Sequence, residues 1–283
     1  MKRLFTAVAL IAILGMPIQS SRADETAADA AYKHVTEQGI LRCGYAPWPD
    51  LLDVAPNTKQ LSGVFYDYMN ELARTMDIKV EWVAEVPFGE IPQALNQGRV
   101  DAICSGAWTN PVRGKFVDSI VPVAYQYITI FARADDNRFD NHSDKINAPE
   151  VKISVIDGES SSAIALASFP NAKTIANPQG TDGTQMLMDV VTGKADVAFT
   201  DLATLDRIIK NNPGKIRQVK TDFPLQVFGT PIWVKKGETK LKNSLDIATM
   251  QLINDGTIDR ILTKHEKVKG EFLRPTTAYQ SFH

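Results

Sequence analysis

Residues 95–113 read LNQGRVDAICSGAWTNPVR. This is the end of a helix, a turn at Gly98, a buried strand over 100–104, and a loop that carries Arg113. Nearly the same grammar returns 95 residues later. Residues 94–106 are ALNQGRVDAICSG and residues 189–201 are DVVTGKADVAFTD, so that Gly98 matches Gly193, Arg99 matches Lys194 and Asp101 matches Asp196. One supersecondary unit used twice predicts two similar lobes. The first copy runs on to Arg113 and the second ends on Asp201. A cation from one lobe and an anion from the other then face each other across a cleft, the geometry that holds a small zwitterion.

Working outward, strands alternate with helices on both sides of this unit. Before it come a strand over 40–43 ended by Gly44, a rigid aromatic loop (Tyr45, Pro47, Trp48, Pro49), and an amphipathic helix. In that helix Phe65, Met69, Leu72, Ala73 and Met76 share one face. A strand over 79–83 and a helix over 90–96 follow. After it, the extended run 124–133 leads into a second α/β pattern. Strands are expected over 152–156, 173–175 and 195–199, and helices follow Ser160 and span 184–191. The extended run 225–234 returns the chain to the first lobe, where helices are expected over 240–254 and 258–264. The pattern predicts an α/β fold of two lobes, each with a largely parallel sheet, joined by a two-strand hinge. Lobe 1 is discontinuous, 39–126 with 230–270; lobe 2 is 127–229; residues 271–283 form a polar C-terminal tail. In parallel sheets ligands sit beyond the carboxyl ends of the strands, which places the loops after Gly44 and after Cys104 at one edge.

The 283 residues are 44% hydrophobic and 23% charged, the composition of a globular protein. Lys2 and Arg3, an apolar run of 13 residues over 4–16, and Ser-Arg-Ala before Asp24 predict a signal peptide over 1–23, followed by a lead-in over 24–38. Removing residues 1–23 takes away Lys2, Arg3 and Arg22 and no acid, leaving 28 basic and 33 acidic side chains and a formal charge of −5. Without a basic cluster a nucleic-acid partner is disfavoured. The apolar run is too short to span a bilayer, which takes about 20 residues, so the mature chain is expected to be soluble, periplasmic and monomeric. Export permits a disulfide. Cys43 and Cys104 lie in strand-like runs that fit either a bridge between neighbouring strands or two buried thiols.

At the segments 63–67, 95–101, 109–113, 158–160, 193–201 and 252–262, in this order and spacing, the chain resembles the extracellular solute-binding proteins of family 3, the periplasmic receptors for polar amino acids. The resemblance covers residues 39–266. It implies a two-lobed, type II periplasmic-binding-protein fold that closes on a ligand and presents it to an ABC-type permease. Arg113 matches the arginine that holds the ligand carboxylate, and Asp201 the acid that holds the α-amino group. Gly106 and Trp108 fall where donors meet the carboxylate, Ser160 in the second-lobe loop that completes that site, and Tyr45 or Trp48 where an aromatic covers the ligand side chain. Three departures bear on specificity: Asn110 stands where the arginine motif has threonine, Trp108 replaces a small hydroxyl residue, and the loop after the first strand lacks the acid of basic-amino-acid receptors.

The chemistry of these residue types agrees with those roles. A guanidinium fork donates two parallel hydrogen bonds to a carboxylate. A carboxylate accepts from an ammonium, and Asp201 also suits the cap of the following helix. No cofactor and no metal are expected, because none of His34, His142, His265 and His283 has ligand spacing to another. Gly-Glu-Ser-Ser-Ser over 158–162 lacks the second glycine of a nucleophile elbow. Two rivals to a binding protein remain: a cyclohexadienyl-dehydratase-like enzyme on the same scaffold, with Glu159 as its general acid, and a sensor that reports ligand to a membrane receptor.

Overall fold

The computed structural model describes residues 29–109 and 111–275. The expected signal peptide over 1–23, the first part of the lead-in, Asn110 and the end of the tail lie outside the described residues. In chain order the first lobe contains α1 (Ala30–Gln38), β1 (Ile40–Tyr45), the short hairpin β2 (Asp53–Val54) and β3 (Leu61–Ser62), α2 (Val64–Met76), β4 (Lys79–Glu85), α3 (Ile91–Asn96), β5 (Ala102–Ile103) and β6 (Val117–Ser119). The strand β7 (Ala124–Arg133) crosses to the second lobe. That lobe is built from β8 (Lys152–Ile156), α4 (Ser160–Ser168), β9 (Lys173–Asn177), α5 (Gly183–Val191), β10 (Val197–Thr200), α6 (Leu202–Asn211) and β11 (Ile216–Gln218). The chain returns through β12 (Gln226–Thr230) and β13 (Trp233–Lys235) and finishes in α7 (Thr239–Asn254) and α8 (Thr257–His265).

Each lobe has its own sheet. In lobe 1 the order is β4-β1-β5-β13-β6, with β4, β1 and β5 parallel and β13 antiparallel to both β5 and β6. In lobe 2 the order is β11-β7-β10-β8-β9, with β10, β8 and β9 parallel and β7 antiparallel to β10 and β11. The expected largely parallel sheets therefore each carry antiparallel strands, supplied by the segments that cross between lobes and by their neighbours.

α2 shows how sequence pattern becomes packing. Val64, Phe65, Tyr68, Met69 and Leu72 recur at helical spacing and all five are fully buried. Each such burial contributes roughly 1.5–3 kcal/mol. The first amides of α2 find main-chain partners: Val64 N donates to Asp50 O and Phe65 N to Leu51 O. Gly63 makes this approach possible, because a Cβ there would lie 2.8 Å from Leu51 O. The helix start thus anchors the aromatic loop that leads from β1.

The internal repeat is visible in the hydrogen bonds. Asp101 accepts from the amide of Arg42 in β1, and its own amide donates back to Arg42 O. Asp196 makes the same pair of bonds with Lys152 in β8. Each aspartate is further held by an arginine, Arg42 for Asp101 and Arg138 for Asp196. Both acids pin neighbouring strands at the ends away from the cleft.

The two crossings form an antiparallel ribbon, Ala124–Ile128 of β7 against Gln226–Thr230 of β12. The run 225–234, which reads as one extended segment, is divided at Pro231: β12 belongs to the ribbon and β13 to the sheet of lobe 1. The C-terminal segment is also more integrated than its polarity implies. Leu273 exchanges two backbone hydrogen bonds with Tyr125 at the start of β7, and Glu271 and Phe272 are buried. Of the two possibilities for the cysteines, the structure has the bridge: Cys43 and Cys104 are disulfide-bonded, with Cα atoms 5.5 Å apart on neighbouring chain segments of the lobe 1 sheet.

Candidate functional site

The carboxyl ends of the strands of both lobes face one cleft of about 310 Å³. β1 contributes the loop 46–49, β4 contributes Glu85, Pro87 and Phe88, and the loop after β5 contributes Trp108 and Arg113. From lobe 2, β8 and the start of α4 bring Ile156, Glu159, Ser160 and Ser161. The loop after β9 brings residues 180–184, and β10 and α6 bring Thr200, Asp201 and Thr204. Of the residues singled out in the sequence, Trp48, Trp108, Arg113, Ser160 and Asp201 line this cleft.

Arg113 opens a short 3-10 turn and is only 8% exposed. Its Nη1 donates to Trp108 O at 2.9 Å, and its guanidinium carbon lies 5.6 Å from the Trp233 ring centroid. These contacts fix the plane of a cation that burial makes less easily charged and that Glu159 helps to keep charged. Asp201, 2% exposed, sits at the N-terminus of α6. Its Oδ1 accepts from Thr204 N at 2.9 Å, the geometry of a helix N-cap. Its Oδ2 accepts from Trp48 Nε1 at 3.3 Å, which joins lobe 2 to lobe 1.

The apolar wall is aromatic. Trp48 meets Trp108 edge-on at 4.9 Å between centroids and Phe88 at 5.3 Å; Trp108 stacks on Phe228 of the hinge ribbon at 5.3 Å. Trp108 Nε1 donates to Gln126 Oε1 on β7 at 3.0 Å. The Trp108 indole thus ties the cleft to both hinge strands. The lobes also touch where Arg207 of α6 pairs with Asp53 of lobe 1 at 2.5 Å.

Two residues singled out in the sequence lie elsewhere. Tyr45 is absent from the cleft wall. It is the last residue of β1 and shares the strand face of Cys43, so its ring packs against Trp82, edge-on at 5.9 Å. Gly106 does not line the cleft either. Its φ is +75°, and a Cβ there would lie 2.4 Å from the Phe65 ring, so its role is close packing on α2. Ser161 is committed to structure, since its Oγ accepts from Ile156 N at 2.9 Å.

Glu159, Glu85 and Asp182 add three acids to the cleft. Burial pushes the Glu159 carboxyl up to about 7, opposed by the Arg113 charge. Asp182 caps α5 by accepting from Thr184 N at 3.0 Å. Glu85 ends a strand that the sequence shows, and the rule that ligands sit beyond strand ends would have pointed to it. Asp182 lies in a loop of Pro, Gln, Gly and Thr with no periodic signal. Among the described residues no group of three His, Cys, Asp or Glu side chains is arranged to hold a metal ion. No described helix is long and apolar enough to cross a membrane.

With this geometry in view, comparison with known proteins is informative. The sequence profile of the bacterial extracellular solute-binding proteins, family 3, matches residues 41–267. A Neisseria gonorrhoeae protein named a probable histidine-binding protein is 25% identical over 274 residues, 95% of this chain and 97% of that one. The amino-acid-binding protein AabA of Dichelobacter nodosus is 28% identical over 201 residues, covering 67% of this chain and 72% of its own. Among solved structures, the ancestral amino acid-binding protein AncCDT-1, a precursor of cyclohexadienyl dehydratase, superposes with a TM-score of 0.71 at 26% identity, covering 83% of this chain and 98% of its own.

Proposed function

The chain belongs to the bacterial extracellular solute-binding proteins of family 3, and from that premise we propose that it captures an α-amino acid with a cationic side chain. It acts in the periplasm, after removal of a signal peptide, and delivers its ligand to an ABC-type permease. The observation that carries this reading is the pairing of one buried guanidinium from lobe 1, Arg113, with one buried carboxylate from lobe 2, Asp201, on the walls of one cleft. A ligand carboxylate meets the first and its ammonium the second, so only a bound zwitterion completes both contacts across the hinge. Closure is favoured by the difference in ligand affinity between open and closed forms. Exclusion of water in the closed cleft strengthens both charge contacts.

The acids of the cleft support a cationic side chain. Glu85 and Asp182 are exposed acids of the same cleft wall, and the Trp48, Phe88 and Trp108 rings that line it are of the kind that attracts a cation. The acid missing from the loop after β1 is thus supplied by β4 and by the start of α5. The names of the Neisseria and Dichelobacter relatives support an amino-acid ligand.

A thermal-shift screen tests this reading with L-histidine, L-arginine, L-lysine, L-ornithine, neutral and acidic amino acids, and prephenate. A ligand at about 100 times its dissociation constant stabilises by about 2.7 kcal/mol, or roughly 5–10 °C for a chain of this size. Arg113→Ala leaves a buried ligand charge unpaired, at roughly 2–5 kcal/mol, or about 30- to 4000-fold in affinity. A panel in which no amino acid shifts the midpoint contradicts the proposal. A second reading, a dehydratase acting on a prephenate-like acid, draws on the Glu159 carboxyl at about 7 beside Arg113, in the range of a general acid. It requires prephenate turnover that Glu159→Gln abolishes.

A further inference from the structure

Glu159 is the one acid of the inner cleft to which holding a zwitterion gives no role. It stands at the start of α4 in lobe 2, beside Ser160, and close enough to Arg113 of lobe 1 for the two charges to interact. Its side chain does not cap α4, and among the described residues its carboxyl makes no hydrogen bond. The charge that acts on it is Arg113 from lobe 1; Glu85 at the end of β4, Asp182 before α5 and Asp201 before α6 line the same cleft, and Asp157 lies two residues before it in the chain.

Resting on the amino-acid reading above, we propose that Glu159 carries a proton in the ligand-bound state and donates it in a hydrogen bond to the ligand carboxylate held by Arg113, so that capture is coupled to proton uptake. A ligand carboxylate arriving at Arg113 places a second anion on a cation that Glu159 already faces. Two carboxylates sharing one buried site do not both stay ionised. The ligand carboxyl is the stronger acid, so the proton resides on Glu159. A protonated carboxyl supplies one O–H donor, which completes a site otherwise made of Arg113 and the start of α4. In the free protein burial already raises the Glu159 carboxyl to about 7.

The sign of the linkage follows. Below pH 7 the free protein already holds the proton, and binding takes up none. Above pH 7 the free carboxyl is ionised, binding draws a proton from solvent, and affinity falls by up to about tenfold per pH unit. If Glu159 instead stays ionised and pairs with a cationic ligand side chain, binding releases a proton below pH 7, and affinity rises with pH up to about 7 and is flat above it.

The test is isothermal titration of the protein with L-arginine, L-lysine and L-glutamine between about pH 5.5 and 8.5, in buffers of different ionisation enthalpy so that protons are counted. The expected result is little uptake at the acid end, approaching one proton near pH 8, with affinity falling above pH 7. Glu159→Gln, which donates at every pH, abolishes both uptake and slope and binds more tightly than wild type at pH 8.5, by roughly tenfold. Its unfolding midpoint without ligand shows that it folds. A flat profile, an affinity that rises with pH, or a slope that persists in Glu159→Gln overturns the inference while leaving the amino-acid reading intact. Failure of every amino acid of the thermal-shift panel to bind overturns both.

Discussion

Replacing Asp201 separates two duties of one carboxylate. Its Oδ1 caps α6 through the amide of Thr204 at 2.9 Å, and its Oδ2 faces the cleft beside Trp48 Nε1 at 3.3 Å. Asparagine keeps an oxygen for the cap but removes the charge; alanine removes both. The cap is worth about 0.5–2 kcal/mol. At roughly 2–4 °C per kcal/mol for a chain of this size, Asp201→Ala lowers the unfolding midpoint of the ligand-free protein by about 1–8 °C, whereas Asp201→Asn leaves it near wild type. Affinity behaves differently. Both variants leave the ligand ammonium without its buried anion, a loss of roughly 2–5 kcal/mol, or about 30- to 4000-fold. The assay pairs differential scanning fluorimetry without ligand with isothermal titration of the amino acid selected by the screen. If Asp201→Asn binds within about threefold of wild type, Asp201 is a helix cap and nothing more, and the zwitterion cleft loses its anion. If Asp201→Asn destabilises as much as Asp201→Ala, the cap geometry is wrong.

Other parts of the structure give independent tests. Gly106→Ala forces a Cβ to 2.4 Å from the buried Phe65 ring at a φ of +75°. Overpacking of this kind costs about 1–3 kcal/mol, and scanning fluorimetry should read a midpoint at least 2 °C lower. The Cys43–Cys104 bridge spans 61 residues of chain, so Cys43→Ala with Cys104→Ala costs roughly 2–4 kcal/mol, read as a lower denaturation midpoint that added reductant no longer changes. Burial, with Asp50 and Asp201 adding to it, pushes the Glu271 carboxyl up to about 8 from an ordinary 4.5. The folded chain then keeps a proton that the unfolded chain loses. This group's contribution to stability is fully present below pH 4.5 and is lost as pH rises through 8. Glu271→Gln should therefore stabilise more at pH 8 than at pH 5 in urea titrations. The half-exposed Arg207–Asp53 pair between the lobes contributes no more than about 1 kcal/mol. Arg207→Ala should thus weaken ligand binding by less than about fivefold, and salt should reduce the difference.

Segments with a strong period were legible in the sequence. The apolar face of α2 and the long β7 read directly, because burial on one side writes itself into residue spacing. The repeat around Gly98 and Gly193 announced two lobes, and its aspartates proved to be matching strand pins. Elements held by contacts distant in sequence did not read. The β2–β3 hairpin is two residues long on each side, too short for a period. The segment 271–275 is charged, yet Phe272 and the Leu273 bridge bind it to the start of the hinge ribbon. In the site, the family resemblance named Arg113, Asp201, Trp48, Trp108 and Ser160, and all five line the cleft. Of the two aromatics offered for the ligand side chain, Trp48 lines the cleft, while Tyr45 ends β1 and meets Trp82. Gly106 reads as a backbone donor in sequence and as a space-saving residue in the fold. Glu85 ends β4 and Asp182 lies in a loop without a periodic signal, and only the fold brings them together.

The claim that a zwitterion bridges Arg113 and Asp201 is tested most directly by splitting the ligand. The amino acid selected by the screen would be titrated calorimetrically beside its decarboxylated amine and its N-acetyl derivative. The amine lacks the partner of Arg113 and the acetyl compound lacks the partner of Asp201. If each charge is buried against its own residue, each loss costs roughly 2–5 kcal/mol, so both analogues bind at least about 30-fold more weakly than the parent. An analogue that binds as tightly as the parent shows that the charge it lacks is not held in the cleft, and the account of capture fails at that residue.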